Sequence, residues 1–579
     1  MMQPSPPSRA RRAVAWLALA LGLALLAAGL LLPDSLQWRL QLLTGLWLLS
    51  LLPRAALRRV APPARGFGHL ALLACLGLGA VGLQLAREQV SQASATRARV
   101  AAMRQVAARP DEQPVRPADR TALGSGRVWP VATTTITRGQ ILDRAGAVLA
   151  TTQDGRRVYP NPDLGHLVGF QSRLYGVSGV EASFDAALSG TDALSPTALL
   201  EARLLGTSPP AAAGADVVLT LDSGLQQVAQ TALGERVGAV VLLDTQTGAI
   251  LAMASYPRFD PNALVLPATA SQADVDRAQA AWAELTGRGD SPLLNRAAQG
   301  RYPPGSVIKT LTAAAALDAG VLAGPEAQVT CPDRLETEAG APPVRNAVED
   351  LDRRTGSPSD LFRVFAFSCN TAFAQIGLAL GPERFADYAA RFGLGLADAG
   401  PRPADLRDLP ADAGTIAGDA AFLARPVALA DTAFGQGQAL VTPLDMAQMV
   451  AAVANDGRLM RPHLVQEVRE GGAVSYRAEP EVLREVISPE AARQLRAVMG
   501  RSVEIGYAAP AALPGVSVGA KTGTAETATD APHSWFVALA PVEQPRFAIA
   551  AVVEFGGEGS RGALPVARQV LAAALGVQP

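Results

Sequence analysis

The chain has 579 residues and a net charge of -1, and it is 49% hydrophobic and 18% charged. The low charge content excludes a long disordered or polyelectrolyte protein, and the balanced charge gives no indication of nucleic-acid binding. Three cysteines and four histidines, widely spaced, are too few for a zinc cluster or a disulfide scaffold, so we expect no metal and no cofactor.

Apolar segments near the N-terminus predict a membrane anchor over residues 1–86. Residues 13–32 and 67–86 are uncharged apolar runs, each long enough to cross a bilayer core of about 30 Å, and residues 36–52 form a shorter, interrupted run. Arginines precede the first run and lie between the second and third. The positive-inside rule then predicts three transmembrane helices, with everything after residue 87 outside the membrane. With two spans, the C-terminal part would lie in the cytoplasm.

A linker is expected between this anchor and two folded domains. Residues 87–136 begin with the composition of a juxtamembrane helix and end in a proline- and glycine-rich stretch. Residues 137–215 contain short alternating strands, with Asp-Arg-Ala-Gly as a hairpin turn, and predict a small β-rich domain. Residues 216–579 form the larger domain.

The larger domain is predicted to be α+β. Residues 238–255 are typical of two strands around a Thr-Gln-Thr-Gly turn, and residues 533–541 and 546–556 of two more. Helical patterns occupy residues 306–318, 359–380, 443–456, 489–501 and 563–575. We therefore expect one antiparallel sheet, closed by strands from both ends of the domain, with a helical region beside it.

The first motif with chemical meaning is Ser306-x-x-Lys309, at the predicted start of a helix. A spacing of three residues puts both side chains on one helix face. A serine hydroxyl becomes a nucleophile when a base takes its proton, and a lysine is such a base when burial and a second cation lower its pKa. By itself the motif favours a serine that caps the helix and a solvent-exposed lysine.

Two further motifs follow in the chain. Residues 368–370 (Ser-Cys-Asn) lie about 60 residues after the first motif, and residues 521–524 (Lys-Thr-Gly-Thr) about 150 residues later. A strand with a lysine, two hydroxyls and a flexible glycine can bind a carboxylate and offer a backbone N–H to an oxyanion. The chain contains lysine only at Lys309 and Lys521, and both fall inside these motifs, which argues against chance.

The three motifs together resemble those of the penicillin-binding serine acyltransferases. RYPPGSVIKT, SCNTAF, KTGTAE and residues 434–465 look like that family's transpeptidase domain, which has a penicillin-binding/β-lactamase-like fold. TRGQILDRAGAVLA and YGVSGVEASFDAALSG look like the pedestal (dimerisation-type) domain of the monofunctional, class B members. The resemblance covers residues 137–579, and the three expected spans depart from the family's usual single anchor helix.

The resemblance implies a D,D-transpeptidase that cross-links peptidoglycan outside the bacterial plasma membrane. Ser306 would attack the D-Ala-D-Ala bond with Lys309 as general base, and β-lactams would acylate the same serine. Ser368 would relay the proton, and Asn370 would hold the substrate amide. Lys521 would supply a positive potential that keeps Lys309 neutral. Thr522, Gly523 and Thr524 would bind the substrate. The N–H groups of Ser306 and Thr524 would form the oxyanion hole.

The family context also implies a partner. This would be a membrane glycosyltransferase of the shape, elongation, division and sporulation family, which polymerises the glycan that the transpeptidase cross-links. The segments 36–52 and 67–86 could pack against it.

Other functions of the same fold stay open. A D,D-carboxypeptidase or a β-lactamase would hydrolyse the same acyl-enzyme, although the glutamate motif of class A β-lactamases is not formed around Leu294-Asn295. A membrane β-lactam receptor would need His-Glu-x-x-His, which the sequence does not contain. A non-catalytic cell-wall scaffold would be expected to have degenerate motifs.

The sequence leaves open the roles of two cysteines and one glutamate. Cys331 and Cys369 could form a disulfide beside the active site or remain buried free thiols. Glu181 is expected to be an ordinary surface residue, with a salt bridge between the pedestal and the catalytic domain as the alternative.

Overall fold

The computed structural model describes residues 138–190, 213–400, 404–527 and 531–579. The chain divides into two compact units, 1–109 and 110–579, and all described residues belong to the second. The expected spans 13–32, 36–52 and 67–86 and the linker 87–136 lie outside the described residues. Within the described ranges, no helix combines the length and the apolar character that crossing a bilayer requires.

The strands fall into a pedestal sheet, a central sheet and short two-stranded ribbons. In chain order they are β1 (Ile141–Leu142), β2 (Val148–Gln153), β3 (Arg156–Val158), β4 (Gln171–Ser172), β5 (Gly176–Val177), β6 (Asp216–Leu219), β7 (Gly238–Asp244), β8 (Ile250–Tyr256), β9 (Arg334–Leu335), β10 (Val344–Arg345), β11 (Gly395–Leu396), β12 (Thr415–Ala417), β13 (Arg458–Met460), β14 (Val465–Glu470), β15 (Ala473–Arg477), β16 (Val482–Glu485), β17 (Gly519–Ala525), β18 (His533–Ala540) and β19 (Phe547–Val553).

The α-helices concentrate between the strands of the central sheet. They are α1 (Gly165–Val168), α2 (Gly179–Ser183), α3 (Asp185–Leu188), α4 (Ser223–Leu233), α5 (Gln272–Gly287), α6 (Lys309–Asp318), α7 (Asp352–Thr355), α8 (Leu361–Ala366), α9 (Asn370–Leu380), α10 (Pro382–Arg391), α11 (Ala420–Leu423), α12 (Pro426–Phe434), α13 (Pro443–Ala454), α14 (Pro489–Ile505) and α15 (Ala563–Leu575). Single 3-10 turns occupy Pro162–Leu164, Pro261–Leu264, Gly305–Ile308, Ala397–Ala399 and Ala509–Ala511.

The pedestal sheet has the strand order β15-β14-β6-β1-β2-β3. The predicted turn between β1 and β2 forms because the Asp143 carboxylate accepts hydrogen bonds from the backbone N–H groups of Ala145 and Ala147. Strand β6 pairs in parallel with β1 and antiparallel with β14, which comes from within the larger domain. The two domains are therefore joined by a backbone hydrogen-bond ladder.

Glu181 is fully buried inside the pedestal, so the expectation of a surface residue was wrong. Its carboxylate pairs with Arg138 and Arg157, each at 2.6 Å, and accepts a bond from the Tyr159 hydroxyl at 3.2 Å. Arg138 also pairs with Asp185 at 2.6 Å. All these partners belong to the pedestal, so the alternative of an interdomain salt bridge was wrong as well. The arginines come from other segments of the chain and meet the carboxylate only after folding.

The central sheet is antiparallel with the strand order β17-β18-β19-β7-β8, which confirms the predicted closure by strands from both ends of the domain. Successive side chains of a strand point to opposite faces. Accordingly Val241 packs on the side of the helical region, and Val240 and Leu242 pack on the side of α4 and α15. Because both faces are covered, β7, β18 and β19 are almost continuously apolar.

Helix α6 runs through the core beside this sheet. Every residue from Lys309 to Leu317 is buried, and the four alanines 313–316 allow the neighbouring helices α9 and α14 to approach closely. A buried helix leaves no solvent for a lysine at its first turn. The interior position of Lys309 follows directly from this packing.

The pattern over residues 359–380 predicts one helical stretch, but the structure has two helices, α8 and α9. Between them Ser368 adopts a left-handed backbone conformation with φ of +57°. Cys369 then caps α9, since its Sγ accepts the backbone N–H of Ala372 at 3.4 Å. The interruption turns the Ser-Cys-Asn segment toward Lys309.

Candidate active site

The turn Gly305–Ile308 carries Ser306 against strand β17. Gly305 has φ of +53°, and a Cβ there would lie 2.6 Å from the carbonyl oxygen of Thr524. A Cβ at Gly435 would lie 1.9 Å from the Gly305 oxygen. Glycine is therefore required at both positions for the backbones to come this close. On the other side, Trp535 Nε1 donates to the Pro303 carbonyl oxygen at 2.9 Å.

Lys309 lies at the centre of the cluster and is fully buried. Its Nζ is 2.9 Å from Ser306 Oγ and 3.1 Å from Ser368 Oγ. It also donates to two atoms that can only accept, the Ser368 carbonyl oxygen at 2.8 Å and Asn370 Oδ1 at 2.6 Å. A neutral amine has two protons for these acceptors and one lone pair for a hydroxyl proton. The surroundings thus match a neutral lysine that can accept the proton of Ser306.

The electrostatics agree with a neutral Lys309. Burial lowers its pKa well below the usual value, and the charge of Lys521 lowers it further. Burial also lowers the pKa of Lys521 to about 7. An arginine would remain charged at either position, whereas a lysine can lose its proton. This explains why the two lysines of an arginine-rich chain lie here.

The predicted strand carrying residues 521–524 is β17, the end strand of the central sheet. Lys521 is fully buried, with Nζ 3.0 Å from Ser368 Oγ. Thr522 is mostly buried and Thr524 is exposed, so Thr524 offers the more open hydroxyl. A Cβ at Gly523 would lie 2.9 Å from the Cγ1 of Val307 and would press on the turn that carries Ser306.

The structure brings the sequence-predicted residues into one place. The hydroxyls, amines and amide that meet there belong to Ser306, Lys309, Ser368, Asn370 and Lys521. Cys331 and Cys369 form a disulfide with an S–S distance of 2.09 Å, which answers the question that the sequence left open.

Sequence reasoning missed the support of the segment before Ser306 by Glu554, which directly follows β19, the middle strand of the central sheet. The Tyr302 hydroxyl donates to Glu554 Oε1 at 2.8 Å, and Arg296 Nε pairs with the same oxygen at 2.7 Å. These residues are about 250 positions apart and share no motif. These residues could have been found only from knowledge that the end of β19 contacts the segment before Ser306 in the folded chain.

Comparison with known proteins identifies the family. Residues 238–575 match the family model for the penicillin binding protein transpeptidase domain, and residues 138–213 match that for the penicillin binding protein A dimerisation domain. The chain belongs to the class B penicillin-binding proteins. This family consists of serine-type peptidoglycan D,D-transpeptidases of cell-wall synthesis, which β-lactams acylate.

Relatives of known name and structure agree with this membership. The penicillin-binding protein is 37% identical to the peptidoglycan D,D-transpeptidase PbpA of Mycolicibacterium smegmatis, over 76% of this chain and 89% of the relative. Its fold resembles that of penicillin-binding protein A from M. tuberculosis in a ceftriaxone acyl-enzyme complex, with a TM-score of 0.66 and 33% identity, covering 76% of this chain and 98% of that one. The penicillin G acyl-enzyme complex of the same protein gives a TM-score of 0.64 and 34% identity, covering 76% and 99%.

Proposed function

We propose that the chain cross-links peptidoglycan stem peptides through an acyl-enzyme on Ser306. The observation that carries this proposal is the 2.9 Å distance between Ser306 Oγ and Nζ of a fully buried Lys309. A buried lysine with a depressed pKa is a competent base for a serine hydroxyl near neutral pH.

In the first half-reaction, Ser306 Oγ attacks the carbonyl carbon of the D-Ala-D-Ala bond while Lys309 Nζ takes its proton. The tetrahedral oxyanion is held by the backbone N–H groups of Ser306 and Thr524, a role supported by the close approach of Gly305 to Thr524. The proton then passes through Ser368 Oγ to the leaving nitrogen. The C–N bond breaks and D-alanine leaves.

In the second half-reaction, an amine of a neighbouring stem peptide attacks the acyl-enzyme. Lys309, neutral again after the first half-reaction, takes a proton from the attacking amine and passes it to Ser306 Oγ as the new amide bond forms and the ester bond breaks. Asn370 is proposed to hold the substrate amide, and Thr522, Gly523 and Thr524 to line the side that receives the terminal carboxylate. Lys521 supplies positive potential to that carboxylate and to Lys309, in agreement with its effect on the Lys309 pKa.

Locating the acylated residue tests this proposal. Purified protein is treated with penicillin, digested and mapped by mass spectrometry, with Ser306→Ala as the test variant. Ser475→Ala, which changes an exposed serine on β15, is the matched control. We expect one adduct per chain on Ser306, its loss in Ser306→Ala and its retention in Ser475→Ala. An adduct on another residue would contradict the proposal.

A transfer assay separates the transpeptidase from its hydrolytic alternatives. The protein receives a donor peptide ending in D-Ala-D-Ala together with an amine acceptor, and the products are separated by chromatography. A transpeptidase gives the aminolysis product and a long-lived penicillin adduct. If the donor peptide is only hydrolysed and the penicillin adduct is long-lived, the result would favour a D,D-carboxypeptidase. Rapid turnover of penicillin would favour a β-lactamase.

A growth test addresses the scaffold alternative. In a strain that depends on this gene, Ser306→Ala should abolish cross-linking and growth while the protein is still produced. Unchanged cross-linking and growth would favour a non-catalytic scaffold.

We further propose a domain organisation and a location. Residues 1–86 anchor the chain by three spans (13–32, 36–52 and 67–86), residues 87–136 link it to the pedestal (137–215), and the transpeptidase domain (216–579) lies outside the plasma membrane. The family matches to 138–213 and 238–575 support the two folded domains. Protease protection in spheroplasts tests the topology, because protease added outside reaches only the outer face of the plasma membrane. A C-terminal domain that is protected from this protease would contradict the proposed topology.

The proposed partner is a membrane glycosyltransferase of the shape, elongation, division and sporulation family. Its contact would involve the segments 36–52 and 67–86. Replacing residues 13–86 with an unrelated anchor should abolish co-purification of the two proteins. Unaltered co-purification would place the contact elsewhere.

A further inference from the structure

The disulfide between Cys331 and Cys369 lies inside the catalytic cluster rather than at its edge. Cys369 is fully buried and lies in the chain between Ser368 and Asn370, whose side chains both contact Lys309. Its partner Cys331 is also buried, and the two Cα atoms are 6.2 Å apart. A covalent bond therefore holds the backbone at the one position that separates two groups of the proposed mechanism.

The segment that carries Cys331 makes further contacts with the same region. The Pro332 carbonyl oxygen accepts a bond from Thr371 Oγ1 at 2.7 Å and one from Asn346 Nδ2 at 3.0 Å. The carbonyl oxygen of Arg345, on the paired strand β10, accepts a bond from Asn370 Nδ2 at 2.9 Å. This last bond turns Asn370 Oδ1 toward Lys309. Residues 331–346 and the start of α9 thus form one supporting unit.

The backbone at Ser368 needs such support. Its left-handed conformation, with φ of +57°, is one that residues other than glycine adopt only at a free-energy cost. Both lysine amines contact the Ser368 hydroxyl, and their charges repel whenever both are protonated. The N–H groups of Ser368 and Cys369 donate back to α8, to the oxygens of Phe365 and Val364. The remaining local contacts of this turn run forward into α9, from Cys369 to Thr371, Ala372 and Phe373.

We infer that the Cys331–Cys369 disulfide is a positioning element that keeps Ser368 and Asn370 in reach of Lys309 and thereby sets the rate of Ser306 acylation. The inference rests on the proposed function and adds a dependence on the oxidation state of the extracytoplasmic protein. Breaking the bond releases residue 369, so the distance from Ser368 Oγ to Lys309 Nζ increases. Misplacement of catalytic groups by about 1 Å lowers rates by up to about a hundredfold.

Acylation kinetics with a fluorescent penicillin test this role. The protein is compared before and after treatment with a water-soluble trialkylphosphine, which is oxidised to the phosphine oxide while the disulfide takes up two protons from water and becomes two thiols. Alkylation and mass measurement verify the reduction. The acylation rate is followed over a range of penicillin concentrations, which separates the limiting rate from the half-saturating concentration, and the final adduct stoichiometry is counted.

Variants extend the test, because both sulfurs are buried and reduction is expected to be slow. Cys331→Ser removes the tether and leaves the Cys369 sulfur in place to cap α9. Cys75→Ser is the matched control, since it removes a cysteine outside the described residues. Cys331→Ser should behave like the reduced protein and be insensitive to the phosphine, and Cys75→Ser like the oxidised one.

The expected result is a fall of at least about tenfold in the limiting rate, a half-saturating concentration within about twofold of the original, and one adduct per chain at the end point. An unchanged limiting rate in verified reduced protein would overturn the inference. A lower stoichiometry with an unchanged rate would also overturn it, because the disulfide would then only stabilise the fold. If the oxidised wild-type protein takes up no penicillin at all, it is the proposed function that fails.

Discussion

Lys309 and Lys521 share one hydroxyl, with their amine nitrogens 3.1 and 3.0 Å from the Oγ of Ser368. Two ammonium groups cannot both remain charged at this spacing in a buried site without a large free-energy cost. Burial lowers the pKa of Lys309 well below that of a free lysine, and the Lys521 charge lowers it further. The two amines therefore differ in environment, because a neighbouring charge acts on the Lys309 pKa in addition to burial, whereas burial lowers the Lys521 pKa to about 7.

Removing the charge at position 521 should shift the pH dependence of acylation. Because the Lys521 charge lowers the pKa of Lys309, Lys521→Gln raises that pKa and decreases the neutral fraction of the base. The acid limb of the acylation rate against pH should therefore move to higher pH. Lys521→Arg keeps a charge and should leave the acid limb in place, even if its plateau is lower. An unmoved limb in Lys521→Gln would show that the two amines are not coupled.

The stability of the fold should rise with pH above neutrality. Unfolded lysine has a pKa of about 10.4, and the folded pKa of Lys521 is about 7, so between these values the unfolded state binds more protons. The free energy of unfolding should therefore increase by about 2 kcal/mol between pH 7 and pH 9 from Lys521, with a contribution of the same sign from Lys309. Chemical denaturation measures it. The rise should be smaller in Lys521→Met; an equal rise would assign it to other groups.

Two glycines at the two ends of helix α6 allow a matched test of the Ser306 turn. Gly305 and Gly320 both have positive φ, +53° and +67°, but only Gly305 lies against another backbone, with nothing within 4 Å of a Cβ at Gly320. Gly320→Ala should cost about 1 kcal/mol of stability and leave acylation within about twofold. Gly305→Ala should displace Ser306 from β17 and lower the acylation rate at least about a hundredfold. Similar acylation rates in the two variants would refute this packing argument.

The pedestal cluster should respond very differently to the loss of its two carboxylates. Glu181 is fully buried between Arg138 and Arg157, whereas the side chain of Asp185 is 50% exposed. Glu181→Gln leaves the buried Arg157 guanidinium without its counter-charge and leaves Arg138 with Asp185 alone, so it should lower the free energy of unfolding by about 3–5 kcal/mol. Asp185→Asn should cost less than about 1 kcal/mol. Urea denaturation of both variants checks the difference, and equal losses would contradict it.

The sequence by itself determined the elements that depend on local spacing. Ser306 and Lys309 had to share a helix face because they are three positions apart. The apolar runs within 238–255, 533–541 and 546–556 had to become strands because they are short and bounded by turns. The order of the three motifs and the placement of the two lysines were enough to indicate the family and to select the serine that we propose is acylated.

The tertiary structure alone decided how these groups meet. Two amines from distant parts of the chain share the Ser368 hydroxyl, and the disulfide links two segments that are also separate in sequence. The left-handed backbone of Ser368 and the burial of Glu181 likewise arise only in the folded chain. Such contacts depend on packing, and burial is what lowers the pKa of both lysines. A residue's chemical type is local, but its protonation state and its partners are properties of the folded interior.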